Sequence, residues 1–186
     1  MALASTLYDF QITLSDVDRS LSQQLAFKVA RHPSETMERV WLRVLAFCWL
    51  WEDRLVFGPG LGDPDAPDLE TRDYTGVVKR WVRVGRADPA KVQRAVDQNG
   101  NAQVCVLFEA PSRMESFLAE AGAGKMHRVA KAKLAAVDPV LLKALASDES
   151  RRSKVTVTLV GDHFYIDRGD DSLDGPLTHG PAPSDS

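Results

Sequence analysis

Tyr8, Phe10, Ile12 and Leu14 alternate with Asp9, Gln11, Thr13 and Ser15. A period of two sends one set of side chains to a core and the other to water, so this run predicts a half-buried strand. The alternation returns at Leu21, Leu25, Phe27 and Val29, with Gln23 the one polar misfit. Two such runs across the short connector at 16–20 predict an antiparallel hairpin. The grammar changes after Arg31. Pro33 suits a first helical turn, and Ser34, Glu35 and Glu38 set oxygens and negative charge where the helix dipole is positive. The predicted helix runs to about Arg54 through Val40, Trp41, Leu42, Val44, Leu45, Phe47 and Leu50. Large apolar groups on nearly every side of it predict a buried, central helix.

Residues 57–72 read as loop, because Gly58, Pro59, Gly60, Gly62, Pro64 and Pro67 interrupt any regular ladder. A strand follows at 75–84, with Val78, Val82 and Val84 on one face and Val77, Lys79, Trp81 and Arg83 on the other. Asp88-Pro89 opens a short helix that ends at Asn99-Gly100, and the continuous apolar run Val104 to Phe108 predicts a strand buried on both sides. Strand, helix, strand implies a parallel crossover. Pro111 opens another helix, a strand is expected near 131–137, and Asp138-Pro139 begins a helix carrying Leu141, Leu142 and Leu145. Val155, Val157 and Leu159 then alternate with threonines, and Gly161-Asp162 supplies a hairpin turn back through Phe164 to Ile166. From Gly169 the chain is rich in Gly, Pro, Asp and Ser, the composition of a disordered acidic tail. The expected organisation is one α/β domain over 1–168, a mixed central sheet with helices on both faces, and a tail over 169–186.

Composition narrows the function classes. Of 186 residues, 44% are hydrophobic and 26% charged, a balance that excludes wholesale disorder, collagen and coiled coil. No apolar stretch approaches the ~20 residues needed to cross a bilayer, and the N-terminal residues lack the basic-then-apolar order of a secretory signal. Cys48 and Cys105 both lie in apolar runs, as small buried hydrophobes do, and two cysteines make neither a disulfide framework nor a thiolate zinc site. A reducing compartment, the cytoplasm, is the expected location. Net charge is −3, but the last 18 residues hold four acids and no Lys or Arg, so residues 1–168 are nearly neutral. Such a body lacks the global basic excess of a strong nonspecific DNA binder.

Candidate chemistry gathers in two acidic groups. Glu35 and Glu38 stand one helical turn apart, either as acids complementing the dipole or as a metal-ligand or acid/base pair. Asp65, Asp68 and Asp73 follow in the loop, either solvated turn residues or the second half of a Mg²⁺ site, since that ion takes a couple of carboxylates and keeps waters. Lys79, Trp81 and Arg83 share a strand face that could contact phosphate and stack a base, or could cover a helix with their long stems. The histidines at 32, 127, 163 and 179 share no ligand spacing, no Gly-x-Ser-x-Gly occurs, and the glycines follow a helix where a phosphate-binding loop would follow a strand.

The segment Arg31-His32-Pro33-Ser34-Glu35-Thr36-Met37-Glu38-Arg39, with Arg54 to Leu61, Pro67-Asp68-Leu69, Asp73-Tyr74-Thr75-Gly76 and Trp81 to Gly85, resembles the bacterial YaeQ family in the same element order over about 1–168. The resemblance implies a monomeric variant of the PD-(D/E)XK, restriction-endonuclease-like fold. In that superfamily a helix Glu and two strand or loop acids hold Mg²⁺ and a lysine positions the attacking water. By matching positions, Glu35 and Glu38 are the helix acids, Asp68 and Asp73 the loop and strand acids, and Glu38, Asp68 and Asp73 the metal ligands. The family strand carries three acids where this chain has Val77, Lys79 and Arg83, and Ala66 and Glu70 replace its usual Glu and Trp. Cations in place of carboxylates strip the charge that holds a divalent ion. The leading expectation is therefore a degenerate site, with Lys79 and Arg83 neutralising Glu35 and Glu38, and a non-catalytic binding or regulatory role. The alternatives are a Mg²⁺-dependent phosphodiesterase acting on nucleic acid through Glu35, Glu38, Asp68 and Asp73, with Lys79 or Arg83 as the usual lysine, and a protein-interaction module.

Overall fold

The computed structural model describes residues 4–63 and 65–183. Its strands are β1 (Thr6–Asp16), β2 (Leu21–Arg31), β3 (Val56–Phe57), β4 (Leu69–Arg72), β5 (Val78–Val84), β6 (Gln103–Phe108), β7 (Lys133–Val137), β8 (Arg152–Leu159), β9 (His163–Arg168) and β10 (Asp171–His179). Its helices are α1 (Met37–Trp49), α2 (Pro89–Gln98), α3 (Pro111–Ala123) and α4 (Pro139–Ala146). The strands form one mixed sheet in the order β2-β1-β8-β9-β10-β7-β6-β5-β4-β3. β5, β6 and β7 are parallel, as is the β1–β8 pair, and the other pairs are antiparallel.

The period of two decides where the helices sit. On β5, β6 and β7 one set of side chains, including Val82, Val84, Cys105, Leu107, Ala135 and Val137, joins a core with α1 and α4. The alternate set, Trp81, Val104, Val106, Phe108, Leu134 and Ala136, joins a second core with α2 and α3. Helices therefore cover both faces of the parallel segment. Strands β1, β8 and β9 bury only the face toward α1, through Phe10, Ile12, Leu14, Val155, Val157, Phe164 and Ile166, and give the other face to water. The sheet curls around α1 until its two edge strands nearly close a barrel. Phe27 of β2 lies 5.1 Å from Phe57 of β3, and Phe47 of α1 stands 4.7 Å and 4.8 Å from them.

Five sequence expectations need correction. Helix α1 starts at Met37, not at Pro33: Thr36 is extended and its hydroxyl accepts the Arg39 N–H at 3.3 Å, while residues 32–35 close a turn with Glu35 N–H donating to His32 O at 2.8 Å. Thr36 outcompeted Pro33 as the boundary because it caps the helix directly. The helix also ends at Trp49, five residues before Arg54. The loop at 57–72 contains β3 and β4, strands so short that no alternation is legible; β4 is carried by its pairing with β5, and β3 by its pairing with β4. β5 itself begins at Val78, after a turn at 73–76 in which Gly76 takes a φ of +86°.

The largest correction concerns the tail. Residues expected to be disordered form β10, an interior strand that joins the two halves of the sheet. Residues 171–176 pair with β9, and Leu177, Thr178 and His179 pair with β7. Pro176 sits at the handover, where one ladder ends and the next begins, so its missing N–H costs little. Gly175 allows α4 to approach: a Cβ there would come within 2.9 Å of the Asp138 and Leu141 side chains. The last three residues of the expected tail, and Pro64 of the loop, lie outside the described residues. No helix among the described residues is long and apolar enough to cross a membrane.

Cys48 and Cys105 are fully buried, and burial pushes both thiols up to about 12. Neither thiol should react with a thiol-specific chromogenic reagent near neutral pH until the chain is denatured, when both should titrate. A chain truncated after Arg168 should lose cooperative thermal unfolding, followed by circular dichroism, because it lacks the strand that bridges β9 to β7.

Candidate functional site

The expected site residues fall around the start of α1 and the neighbouring strands β4 and β5. Glu35 lies in the turn before the helix, and Arg39 and Arg43 follow at intervals of four. That spacing brings both guanidiniums back over the helix start. The Glu35 carboxylate is 1% exposed and accepts from Arg39 Nη1 at 2.7 Å, from Arg43 Nη2 at 2.8 Å and from the His32 N–H at 3.1 Å. Arg43, itself 2% exposed, also donates to the Ala30 carbonyl at 2.8 Å. Burial pulls its pKa below the ordinary guanidinium value despite the opposing pull of Glu35.

Asp68 precedes β4 and is wholly buried. One of its oxygens accepts the Val84 N–H at 2.9 Å and faces Arg83 Nη1 at 3.8 Å; the other takes a hydrogen bond from Arg39 Nη2. Arg39 therefore bridges Glu35 and Asp68. Burial alone would lower the pKa of Arg39, but Asp68 and Glu35 outweigh it and hold it above its ordinary value.

The other two expected acids stand apart. Asp73 caps the turn into β5: its Oδ1 accepts the Thr75 hydroxyl at 2.6 Å and the N–H groups of Thr75 and Val77 at 2.9 Å and 3.0 Å, and Lys79 Nζ is 3.3 Å from its Oδ2. The Thr75 hydroxyl, with those amides and Lys79, holds this carboxyl well below the usual range. Glu38 is exposed and makes no ion pair among the described residues. Neutralisation thus takes a different route from the one the sequence suggested. Lys79 pairs with Asp73 and Arg83 with Asp68, while Glu35 belongs to Arg39 and Arg43. Glu38, Asp68 and Asp73 do not form one donor set, and among the described residues no three His, Cys, Asp or Glu side chains gather to hold a metal ion. Carboxylates already committed to guanidiniums and backbone amides do not fit Mg²⁺, which needs oxygens with lone pairs to give.

Beside this network opens a cavity of about 660 Å³ at the C-terminal ends of β5 and β6, walled by Thr36, Glu38, Arg39 and Leu42 of the α1 region and by the segment from Gly85 to Val92. The C-terminal end of parallel strands is where open α/β sheets commonly bind ligands. Trp81 reaches it but is 6% exposed and packs on α2, with Arg83 stacked 5.3 Å from its ring. The strand face read as a base-stacking platform is mostly a packing surface. Sequence reasoning did not single out Arg39, Arg43, Arg86, Lys91, Glu109 or Glu120. The four-residue spacing of Glu35, Arg39 and Arg43 was a usable signal, whereas nothing local links Arg86 to Glu109 or Glu120.

Residues 1–175 match the family described as YaeQ protein. Over 185 residues the chain is 29% identical to "Uncharacterized protein YaeQ" of Salmonella typhi and 28% identical to that of Escherichia coli (strain K12), spanning 99% of this chain and 100% of each relative. Among solved structures it is similar to YaeQ protein from Xanthomonas axonopodis pv. citri, with a TM-score of 0.86 and 28% identity over 96% of this chain and 99% of that one. It is also similar to YaeQ protein from Pseudomonas syringae, with a TM-score of 0.83 and 27% identity over 96% and 97% of the two chains.

Glu35→Ala should destabilise the protein by about 3–5 kcal/mol in chemical denaturation, since it strands the buried Arg43 charge. Lys79→Ala, which removes a half-exposed ion pair, should cost no more than about 1 kcal/mol.

Proposed function

This chain belongs to the YaeQ family, and for it we propose a non-catalytic binding or regulatory role built on a nuclease-like core whose metal site has been neutralised. The observation that carries this reading is Arg39, a single guanidinium set between the two buried carboxylates, Glu35 and Asp68. A phosphodiesterase of the metal-dependent kind needs those oxygens to concentrate negative charge around a divalent ion. Here three arginines, Arg39, Arg43 and Arg83, stand within ion-pair distance of the two acids. A dication brought among them would meet repulsion at short range where little solvent screens it. The fixed positive charge is suited to holding a ligand, and a cavity opens directly beside it.

The test is a cleavage panel of supercoiled plasmid and single-stranded DNA and RNA with Mg²⁺ or Mn²⁺. No turnover is expected under any condition. Metal-dependent cleavage that disappears in both Asp68→Ala and Asp73→Ala proteins would overturn the proposal in favour of a surviving phosphodiesterase.

A further inference from the structure

Two of the four cations that line the cavity lie deep, while Arg86 is exposed and the Lys91 side chain is 39% exposed. The cavity floor holds Arg39 and Arg83, whose side chains are 19% and 12% exposed, with Leu42 and Trp81 beside them. Its acids, Glu38, Asp88, Glu109 and Glu120, sit higher: three are exposed and the Glu109 side chain is 33% exposed. Arg39, Arg43 and Arg83 stand around the two buried carboxylates, Glu35 and Asp68, and nearer the mouth Lys91 holds the exposed Asp65 at 2.8 Å. Glu35 and Asp68 each take one N–H of Arg39, out of the five that a guanidinium carries. Arg86, on the cavity wall, makes no hydrogen bond or ion pair among the described residues.

We infer that this cavity binds a small organic anion that also carries hydrogen-bond donors, such as an amino or hydroxy acid, and that it excludes polyanions. This rests on the binding reading above and names the ligand class for it. The anionic group would sit between Arg39 and Arg86, two guanidiniums able to donate charge-assisted hydrogen bonds, the first of them from a poorly solvated floor. The donor end would meet the acids. Glu109 marks the position: one of its oxygens is buried without a donor, and a Cβ built on the neighbouring Gly85 would lie 3.8 Å from it. A nucleic-acid strand would bring successive phosphates against the acidic rim, and like charges there oppose entry. A volume of about 660 Å³ lies within the range of small-molecule sites.

Titration of ¹⁵N-labelled protein with serine, lactate, inorganic phosphate and a short single-stranded oligonucleotide tests the inference. Serine and lactate should shift the Gly85 and Arg86 amides and bind more tightly than phosphate. Arg86→Glu should weaken both by about ten-fold or more while leaving the ligand-free melting temperature unchanged. The oligonucleotide should bind only after Glu38 and Glu120 are both changed to lysine. Tighter binding of the oligonucleotide by the unaltered protein, indifference to Arg86→Glu, or no shift with any probe would each overturn the ligand class. None of these outcomes involves metal-dependent cleavage, so failure here is distinct from failure of the non-catalytic reading.

Discussion

The Arg39 guanidinium is the joint between the central helix and the sheet. It leaves α1 one turn after the Thr36 cap, takes Glu35 on one side and reaches Asp68 on the other. Asp68 in turn holds the backbone N–H of Val84 at the end of β5. Three elements are thereby indexed to one another by groups that are buried or nearly so. Breaking such a set by removing one member costs more than the set contributes as a whole, because the survivor is left charged and dry. Its value to the fold is positional: α1 is apolar on most sides and could slide or rotate in its sleeve of strands, but these charged contacts accept only one register.

That register also shapes the cavity. Fixing the first turn of α1 against β5 sets Leu42 as its floor, and Gly85, with a φ of +72° and its N–H bonded to the Leu107 carbonyl at 2.8 Å, turns the chain away at the end of β5. A residue with a Cβ would be strained in that conformation. The same pair of constraints that neutralises the acids therefore leaves a space beside them, with Arg39 and Arg83 on its floor and both Arg86 and exposed carboxylates toward its mouth.

Much of this was legible in the chain. The β1–β2 hairpin, the buried helix, the β5-α2-β6 crossover and the doubly buried β6 all follow from apolar periodicity, which reports burial directly. The opposition of basic and acidic residues at the site was legible too, because replaced charges change sign whatever the backbone does. The partners were not. Lys79 and Arg83 looked suited to Glu35 and Glu38 only while all four were placed by sequence position. Starting α1 at Met37 puts Glu35 under Arg39 and Arg43, a relation that depends on where the helix begins and so on Thr36 over Pro33. β10 was hidden for a different reason. Its alternation is carried by Leu173 and Leu177 alone, among glycine, proline and aspartate, and its order comes from ladders on both sides. A strand so composed has little tendency of its own and is strand only because β9 and β7 leave a place for it.

The position of β10 has a consequence for how the two cores cooperate. The β2-β1-β8-β9 segment packs only toward α1, whereas β7-β6-β5 serves both cores. Between them the ladder passes through β10, with its β9 and β7 pairings on opposite sides of Pro176. At the far ends of the sheet, Phe27 and Phe57 close against Phe47. Helix α1 is thus held by a sleeve sealed in two places, by backbone hydrogen bonds at β10 and by aromatic contact at the edge strands. Since the Glu35–Arg39–Asp68 bridge spans from the helix to the wall of that sleeve, the geometry of the cavity depends on closure at both seams. A residue at the chain's C-terminal end is therefore as much a determinant of the site as the helix residues that line it.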